Sequence, residues 1–257
     1  MSYNFNVLKV SAIIPTYNEE DHIEDAIKSV NWADEVIVVD SFSNDKTIEI
    51  AKKNGAKVIQ REYQYSASQK NWAIPQASFE WIFLLDADER VTKLLRNEIK
   101  DLLITNLDDS AYWIKRQNYF MGKKIRFSGW QGDKVIRLFK RDECLYEDKK
   151  VHSEIQHKGN VGILHNSLKH FTFKSTDHYL EKWDRYSSWS AKDHYKNGKQ
   201  PNVFHFIIKP SFRFIRDYIF RLGILDGKIG FIICKLSSMG VFMRYVKLKE
   251  IIDSTTK

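Results

Sequence analysis

The sequence predicts an α/β protein with a mostly parallel sheet flanked by helices. Apolar, β-branched segments alternate with segments of helical periodicity, which is the pattern of strand–helix–strand units with right-handed crossovers. Buried strands are expected at Val7–Ile14, Glu35–Asp40, Lys57–Ile59 and Trp81–Leu85. Because ligands bind at the carboxyl ends of parallel strands, we expect the functional site at that edge of the sheet.

Turn and cap residues separate these segments. Asn18 or Asp21 is expected to cap the helix after the first strand, and Gly55 is expected to close the next helix in a left-handed conformation. Pro15 is expected to end the first strand, because proline cannot donate a hydrogen bond to a ladder.

The acidic residues after the fourth strand are the strongest candidates for a site. Asp86 and Asp88 lie two positions apart, so in an extended segment both side chains face the same side. Two carboxylates without a basic neighbour repel each other, and a hard divalent cation such as Mg²⁺ or Mn²⁺ relieves that repulsion. The alternative is that both residues only end a strand or cap a helix. Asp40, at the same predicted sheet edge, favours the metal site.

Composition limits the classes of partner. The chain has 257 residues with 43% hydrophobic content, enough for one large domain or one domain with an appendage. The net charge of +8 requires an anionic partner, such as nucleotide phosphates, acidic lipid, an anionic glycan or nucleic acid. Cys144 and Cys234 have no metal-type spacing and indicate a reducing compartment. We expect no secretory signal and no membrane-spanning segment.

The composition changes in the C-terminal part of the chain. Residues 203–249 interleave phenylalanine and isoleucine with lysine and arginine, which is typical of an amphipathic helix in a membrane interface. The alternative is that these helices pack on the rest of the protein or on a second subunit. We therefore expect a catalytic domain at residues 1–200 and an amphipathic helical extension at residues 201–257.

A set of short segments, whose order and spacing cover nearly the whole chain, carries a family resemblance: Ser11–Glu20, Val38–Ser41, Asn44–Thr47, Gln69–Ala73, Leu84–Glu89, Gly129–Trp130, Val135–Arg141, Val151–His152 and Leu225–Gly230. Together they resemble family-2 glycosyltransferases of the GT-A fold, and more narrowly the bacterial lipopolysaccharide core β-1,4-glucosyltransferases. The resemblance implies a nucleotide-diphospho-sugar transferase fold and metal-dependent, inverting transfer of a hexose from a UDP-sugar.

The resemblance also implies roles for individual residues. Four residues are expected to line the nucleoside pocket: Pro15, Tyr17, Glu19 and Asp40. Asp40 would lie on the uracil edge, Lys70 would approach the diphosphate, and Asp86 would bind the ribose or the base. Asp88 would be the main protein ligand of the divalent metal. Arg137 and Trp130 are expected on the donor and acceptor side.

Inverting transfer also needs a base that takes the proton of the acceptor hydroxyl. Glu154 is the first candidate, followed by Asp148 and Asp133. His152 would complete the metal shell or hold the catalytic carboxylate. The chain departs from the family pattern here, because Ser153 separates the histidine from the glutamate.

The implied partners are a nucleotide-sugar donor, a lipid-linked oligosaccharide acceptor and a membrane surface, without nucleic acid. The implied location is cytoplasmic, peripheral on the inner face of the bacterial inner membrane. Two other classes stay open. A sugar nucleotidyltransferase would carry a Gly-rich, Arg-containing loop after the first strand, which this chain lacks. A non-catalytic binder of anionic surfaces or nucleic acid would be explained by charge alone.

Overall fold

A computed structural model of the chain describes residues 7–104, 108–149, 153–173 and 176–255. The strands are β1 Val10–Thr16, β2 Glu35–Asp40, β3 Lys57–Gln60, β4 Trp81–Leu84, β5 Glu89–Val91, β6 Ala111–Phe120, β7 Lys123–Lys124, β8 Lys134–Lys140, β9 Cys144–Tyr146, β10 Ile155–His157 and β11 Val161–Phe173. The α-helices are α1 Ile23–Ser29, α2 Thr47–Lys53, α3 Ser66–Ala73, α4 Lys93–Leu102, α5 Thr176–Lys196, α6 Lys209–Ile215 and α7 Gly227–Thr255. Wider π-helical turns flank α6 at Phe204–Ile208 and Arg216–Phe220.

Within the described residues nine strands form one sheet, in the order β3-β2-β1-β4-β8-β6-β11-β5, with β7 paired to β6. The strands β3, β2, β1 and β4 run parallel, as predicted from their hydrophobic segments. Beyond β4 the observed pairings are antiparallel. A separate hairpin is formed by β9 and β10. The predicted α/β class is confirmed.

The central strand β4 is buried on both faces. Trp81 and Phe83 lie in one core cluster, whereas Ile82 and Leu84 lie in the other. This alternation follows from the two-residue period of a strand. The strand therefore delivers the acidic residues after Leu84 to the carboxyl edge of the sheet, beside the ends of β1 and β2.

Two local predictions are corrected by the structure. The strand β1 continues through Pro15, which lies opposite Val39 of β2. Pairing of β1 with β4 ends at Ile13 and Leu84, so the missing N–H of Pro15 interrupts no ladder on that side. The α1 helix begins after His22, which makes no side-chain cap, rather than after Asn18 or Asp21. The left-handed conformation of Gly55 is confirmed, with φ 79°.

The chain divides into two compact units. The first comprises the described residues of Met1–Gln117 and Asp133–His170, and the second comprises those of Asn118–Gly132 and Phe171–Lys257. None of the boundaries between the two units falls at residue 200. The assignment of residues 1–200 as the catalytic domain stays a prediction. The first unit holds the parallel strands and the candidate site.

In the second unit, α7 packs between α5 and α6. Ser238 Oγ donates a hydrogen bond of 2.7 Å to the Pro210 carbonyl. Gly240 lies against Trp183, where an added Cβ would be 2.6 Å from the indole nitrogen. Trp130 packs edge-on against Phe120, with ring centroids 6.3 Å apart, and its predicted role at the donor and acceptor side stays a prediction.

Candidate active site

The loops that follow β1 and β2 are tied to each other. The backbone nitrogen of Asn18 donates to Ser43 Oγ at 2.9 Å, and the nitrogen of Asn44 donates to Asn18 Oδ1 at 2.9 Å. Asn18 has φ 52°, a left-handed conformation that asparagine tolerates. The side chain expected to cap a helix therefore fixes the neighbouring loop instead.

Asp40 is fully buried at the end of β2. Its Oδ1 accepts from Ser43 Oγ at 2.5 Å, and its Oδ2 accepts from Ser43 N at 3.0 Å and Gln60 Nε2 at 3.1 Å. Both carboxylate oxygens thus shape the loop after β2. The contact of Asp40 with a uracil edge stays a prediction. To make that contact, the Asp40 carboxylate must give up one of these hydrogen bonds.

Two aromatic side chains stand exposed beside Asp40. Tyr17 follows β1 and Phe42 follows β2, and each keeps 57% of its surface exposed. Phe42 has φ 60°, a region that bulky residues rarely adopt. Pro15 and Glu19, the other residues of the predicted nucleoside pocket, are half-buried. The exposed ring of Tyr17 is available for stacking against a planar ligand.

Asp86 forms ion pairs with two buried cations. Lys70 on α3 places its Nζ 3.2 Å from Asp86 Oδ1, and the guanidinium of Arg137 on β8 contacts Asp86 Oδ2. The expectation that the acidic pair has no basic neighbour is therefore wrong. Because β8 is remote from β4 in sequence, only the fold brings Arg137 to the end of β4, whereas α3 shortly precedes β4.

These cations fix the charge state of Asp86. Burial favours the neutral acid, but Arg137 and then Lys70 outweigh it and hold the pKa of Asp86 far below its usual range. Burial likewise opposes the charged form of Lys70, yet the carboxylate of Asp86 leaves the pKa of Lys70 raised. Asp86 is therefore an oriented, charge-compensated carboxylate, which suits a nucleotide contact better than a metal ligand.

A second layer of ion pairs lies against Asp86. Glu89 is fully buried, with Oε1 at 2.8 Å from Arg137 Nη2 and 3.4 Å from Arg116 Nη1. Arg116 also binds both oxygens of Asp133, at 2.9 and 2.7 Å. Burial lowers the pKa of Arg137, but the carboxylates of Asp86 and Glu89 raise it well above its ordinary value.

This network bears on two residue assignments, both of which stay predictions. Arg137 is buried between Asp86 and Glu89, where it orients Asp86, and its expected place on the donor and acceptor side stays a prediction. Asp133 already accepts two charge-assisted hydrogen bonds from Arg116, which makes its carboxylate a poor base. Burial lowers the pKa of Arg116, but the bonds to Asp133 and the charge of Glu89 leave it raised.

Asp88 lies next to a histidine that sequence reasoning missed. Its Oδ2 is 3.7 Å from His170 Nε2, and both side chains are largely buried. His170 lies on β11, opposite Glu89 of the antiparallel strand β5. No motif in the sequence marks this histidine, because the pairing of β11 with β5 alone brings it to Asp88.

The pair of Asp88 and His170 fits a divalent cation. Carboxylate oxygen and imidazole nitrogen are common metal ligands, and two ligands with bonds of about 2.1 Å lie up to about 4 Å apart. No group of three His, Cys, Asp or Glu side chains suited to a metal occurs in the part of the chain that the structure describes. A bound phosphate or water could supply further ligands. His152, the predicted second ligand, lies outside the described residues.

The turn that carries Asp88 is pinned from one side by Arg90. Its Nη1 donates to the carbonyls of Ala87 and Glu89, each at 2.7 Å, and its Nη2 donates to the carbonyl of His22 at 2.9 Å. Glu89 N also donates to the Asp86 carbonyl at 2.9 Å. The acidic turn is thus held in place before any ligand binds.

The hairpin of β9 and β10 packs on α3 near Lys70. Asn71 exchanges two hydrogen bonds of 2.9 Å with the backbone of Tyr146, and Lys70 Nζ lies 5.1 Å from the centroid of the Tyr146 ring. The loop of this hairpin carries the two remaining base candidates, Asp148 and Glu154. The hairpin therefore brings this loop to the side of the site where Lys70 meets Asp86.

The two candidates differ in their surroundings. Asp148 accepts a hydrogen bond from the Tyr65 hydroxyl at the start of α3. Glu154 is exposed, and its carbonyl accepts from Glu147 N at 2.9 Å, which closes the loop. Both side chains are exposed, and both remain candidates for the base.

The chain belongs to glycosyl transferase family 2, whose family model matches residues 11–174. That range includes each site residue described above. The predicted family and the GT-A fold class are confirmed, and the chain is a glycosyltransferase. Family membership decides against both a sugar nucleotidyltransferase and a non-catalytic binder.

Among its relatives, the chain is similar to the lipopolysaccharide core biosynthesis glycosyltransferase LpsC of Rhizobium meliloti, with 30% identity covering 95% of this chain and 93% of LpsC. The uncharacterized glycosyltransferase RT0209 of Rickettsia typhi is also 30% identical, over 95% of this chain and 87% of its own. Glucosyl-3-phosphoglycerate synthase from Mycobacterium tuberculosis, solved with Mn²⁺, UDP and glucosyl-3-phosphoglycerate, aligns with a TM-score of 0.37 and 24% identity over 45% of each chain.

Proposed function

We propose that this glycosyltransferase transfers a hexose, specifically glucose from UDP-glucose, onto a sugar of a lipid-linked lipopolysaccharide core with inversion at the anomeric carbon. The observation that carries the proposal is the polar rim at the ends of β1, β2 and β4. At this rim Lys70 pairs with Asp86, and Asp88 lies beside His170. Similarity to LpsC along nearly the whole chain supports the acceptor class.

The rim offers one group for each part of a nucleoside diphosphate. Tyr17 presents an exposed ring to the base, and Asp86 presents an oriented carboxylate to the ribose hydroxyls. Lys70 is held by Asp86 in a charged form and would approach the diphosphate. Asp88 and His170 would hold a divalent cation, Mg²⁺ or Mn²⁺. When bound, such an ion stabilises the charge that develops on a departing diphosphate.

The proposed acceptor is lipid-linked, so the enzyme must reach a membrane surface. We place it on the cytoplasmic face of the bacterial inner membrane as a peripheral protein, because a sugar nucleotide donor is a soluble cytoplasmic metabolite. The exposed apolar and basic side chains of the second unit support this placement.

A donor screen tests the proposed function. The protein is incubated with UDP-glucose, UDP-galactose, UDP-N-acetylglucosamine and GDP-mannose, and the released nucleoside diphosphate is measured with Mg²⁺, with Mn²⁺ and with EDTA. We expect UDP release from UDP-glucose above the other donors, abolished by EDTA and restored by added metal. Release that is indifferent to EDTA, or no release from any of these donors, would contradict the proposal.

The catalytic base is tested by two matched substitutions on one loop. Glu154→Gln is expected to lower the rate of transfer to an acceptor by about 10²- to 10⁴-fold, because the acceptor hydroxyl then keeps its proton. Asp148→Asn is expected to leave the rate near the wild-type value, since that carboxylate is bonded to Tyr65. Affinity for UDP should stay unchanged in both variants. A wild-type rate for Glu154→Gln would remove Glu154 from the mechanism.

A further inference from the structure

The second unit exposes a continuous apolar stripe. Along α6 and its flanking turns, large apolar side chains recur at the three- or four-residue spacing that normally buries one helix face. Five of these side chains each keep 46–58% of their surface exposed: Phe204, Ile208, Phe212, Ile215 and Ile219. Phe220, directly after the last of them, keeps 73% of its surface exposed. A stripe with core-like spacing that lies in solvent indicates a surface that meets an apolar partner.

Three arginines of the same segment surround one buried carboxylate. Asp217 Oδ2 is 2.5 Å from Arg213 Nε, and its Oδ1 is 2.9 Å from Arg216 Nε and 3.4 Å from Arg221 Nη1. Three positive charges on one negative charge leave a net charge of +2. We call these four residues the arginine cluster.

The three guanidiniums of the arginine cluster pair with Asp217 and are also partly exposed to solvent. Asp217 is 1% exposed, whereas the three arginine side chains are 30–43% exposed. Each guanidinium has five N–H donors, so the two oxygens of Asp217 can accept only a minority of them. Gly129 leaves room for Arg221, since an added Cβ there would lie 2.9 Å from Arg221 Nη1.

We propose that the arginine cluster binds the phosphate groups of anionic membrane lipids while the apolar stripe enters the adjoining acyl boundary. Guanidiniums bind phosphate through paired, charge-assisted hydrogen bonds. Cations beside apolar side chains are the composition of a helix that lies in a bilayer interface. This inference rests on the proposed function, in which the acceptor is lipid-linked, and it names the lipid group and the residues that bind it.

The helix α7 is expected to lie along the membrane rather than cross it. Of the described helices, only α7 with the 3-10 turn Gly223–Asp226 before it, together Gly223–Thr255, is long and apolar enough to span a bilayer, and 28% of its most apolar window is buried. Ser238 and Tyr245 are nonetheless buried in packing with α6 and α5. Crossing a bilayer would remove those contacts, so interfacial attachment keeps the observed packing of the unit.

Co-sedimentation of the full chain with vesicles tests the proposal. We expect binding to phosphatidylcholine vesicles that contain phosphatidylglycerol, little binding to pure phosphatidylcholine, and weaker binding at high salt. Arg213→Gln with Arg221→Gln should lower the affinity about 30-fold, from about 1 kcal/mol, or roughly fivefold, for each basic residue at an anionic surface. The lysine pair Arg213→Lys with Arg221→Lys should lose less, because charge remains while paired hydrogen bonding is lost.

The matched control removes the same charge elsewhere. Lys52→Gln with Lys53→Gln changes two exposed cations on α2 of the first unit and is expected to leave vesicle affinity unchanged. UDP release from the soluble donor, measured without vesicles, should be the same in all variants. That assay separates the two claims, since its failure in the wild-type protein refutes the proposed function whereas vesicle binding reports on the cluster.

Four results would overturn the inference. One is that the wild-type protein fails to sediment with the anionic vesicles. Another is that the two glutamine pairs lower the vesicle affinity equally, which indicates unspecific charge. A third is that Arg213→Gln with Arg221→Gln abolishes binding of inorganic phosphate to the vesicle-free protein but leaves sedimentation with the anionic vesicles unchanged, which indicates a site for free phosphate. The last is that protein bound to bacterial membranes resists extraction at alkaline pH, which indicates that α7 crosses the bilayer.

Discussion

Replacement of Asp88 by asparagine is expected to lower metal-dependent UDP release by about 10²- to 10³-fold while the protein stays folded. Asp88 Oδ2 and His170 Nε2 lie 3.7 Å apart at the end of the turn after β4, where they would share a divalent cation. Asparagine keeps the size of the side chain and removes its charge, so the loss reports on the cation rather than on packing. Steady-state UDP release at saturating donor gives the measurement.

A matched control for this substitution is Asp142→Asn. The Asp142 side chain is 73% exposed and pairs with Arg141 outside the site, so its loss should leave UDP release unchanged. Equal activity of the Asp88→Asn and wild-type proteins, with metal present, would exclude Asp88 as a metal ligand. Circular dichroism of both variants separates lost activity from lost fold.

Replacement of Arg137 by methionine is expected to destabilise the protein by about 3–5 kcal/mol. Methionine fills much of the volume of the arginine side chain. The fully buried carboxylate of Glu89 then loses its pairing with Arg137, and Asp86 loses one of its two cations. An uncompensated buried charge is costly because the interior screens it poorly. The midpoint and slope of urea unfolding give the change in free energy of unfolding.

Arg141→Met is the matched comparison for Arg137→Met. Arg141 follows β8 and pairs with the exposed Asp142, so its loss should change the free energy of unfolding by no more than about 1 kcal/mol. Adding Glu89→Gln to Arg137→Met should recover part of the lost stability, because the buried negative charge is then gone. If Arg137→Met were as mild as Arg141→Met, the buried network would contribute little to the fold.

The hydrophobic pattern predicted the position of the acidic turn because it depends on local sequence. The run from Trp81 to Leu85 is apolar throughout, which is the mark of a strand buried on both faces, and the carboxylates emerge where it ends. The partners of those carboxylates could not be predicted in this way. Arg137 is 51 residues from Asp86 in sequence, and only the pairing of β8 with β4 brings them together.

The position of His170 beside Asp88 could not be predicted either. His170 lies inside a long strand without any motif, and the antiparallel pairing of β11 with β5 places it beside Asp88. The burial of Arg137 could not be predicted, because an alternating strand shows which residues share a face, but not whether that face is buried under a network of charges. The proline in β1 was misjudged since its tolerance depends on where a neighbouring ladder ends.

The proposed transfer chemistry depends on a cation that Asp88 holds and through which the polar rim binds a nucleoside diphosphate. Calorimetric titration of UDP into the wild-type and Asp88→Asn proteins, with Mn²⁺ and with EDTA, tests it without requiring the acceptor. We expect Mn²⁺ to tighten UDP binding to the wild-type protein by about tenfold or more and to leave the variant unaffected. Equal affinities with Mn²⁺ and EDTA in the wild-type protein, or a full metal effect in the variant, would contradict it.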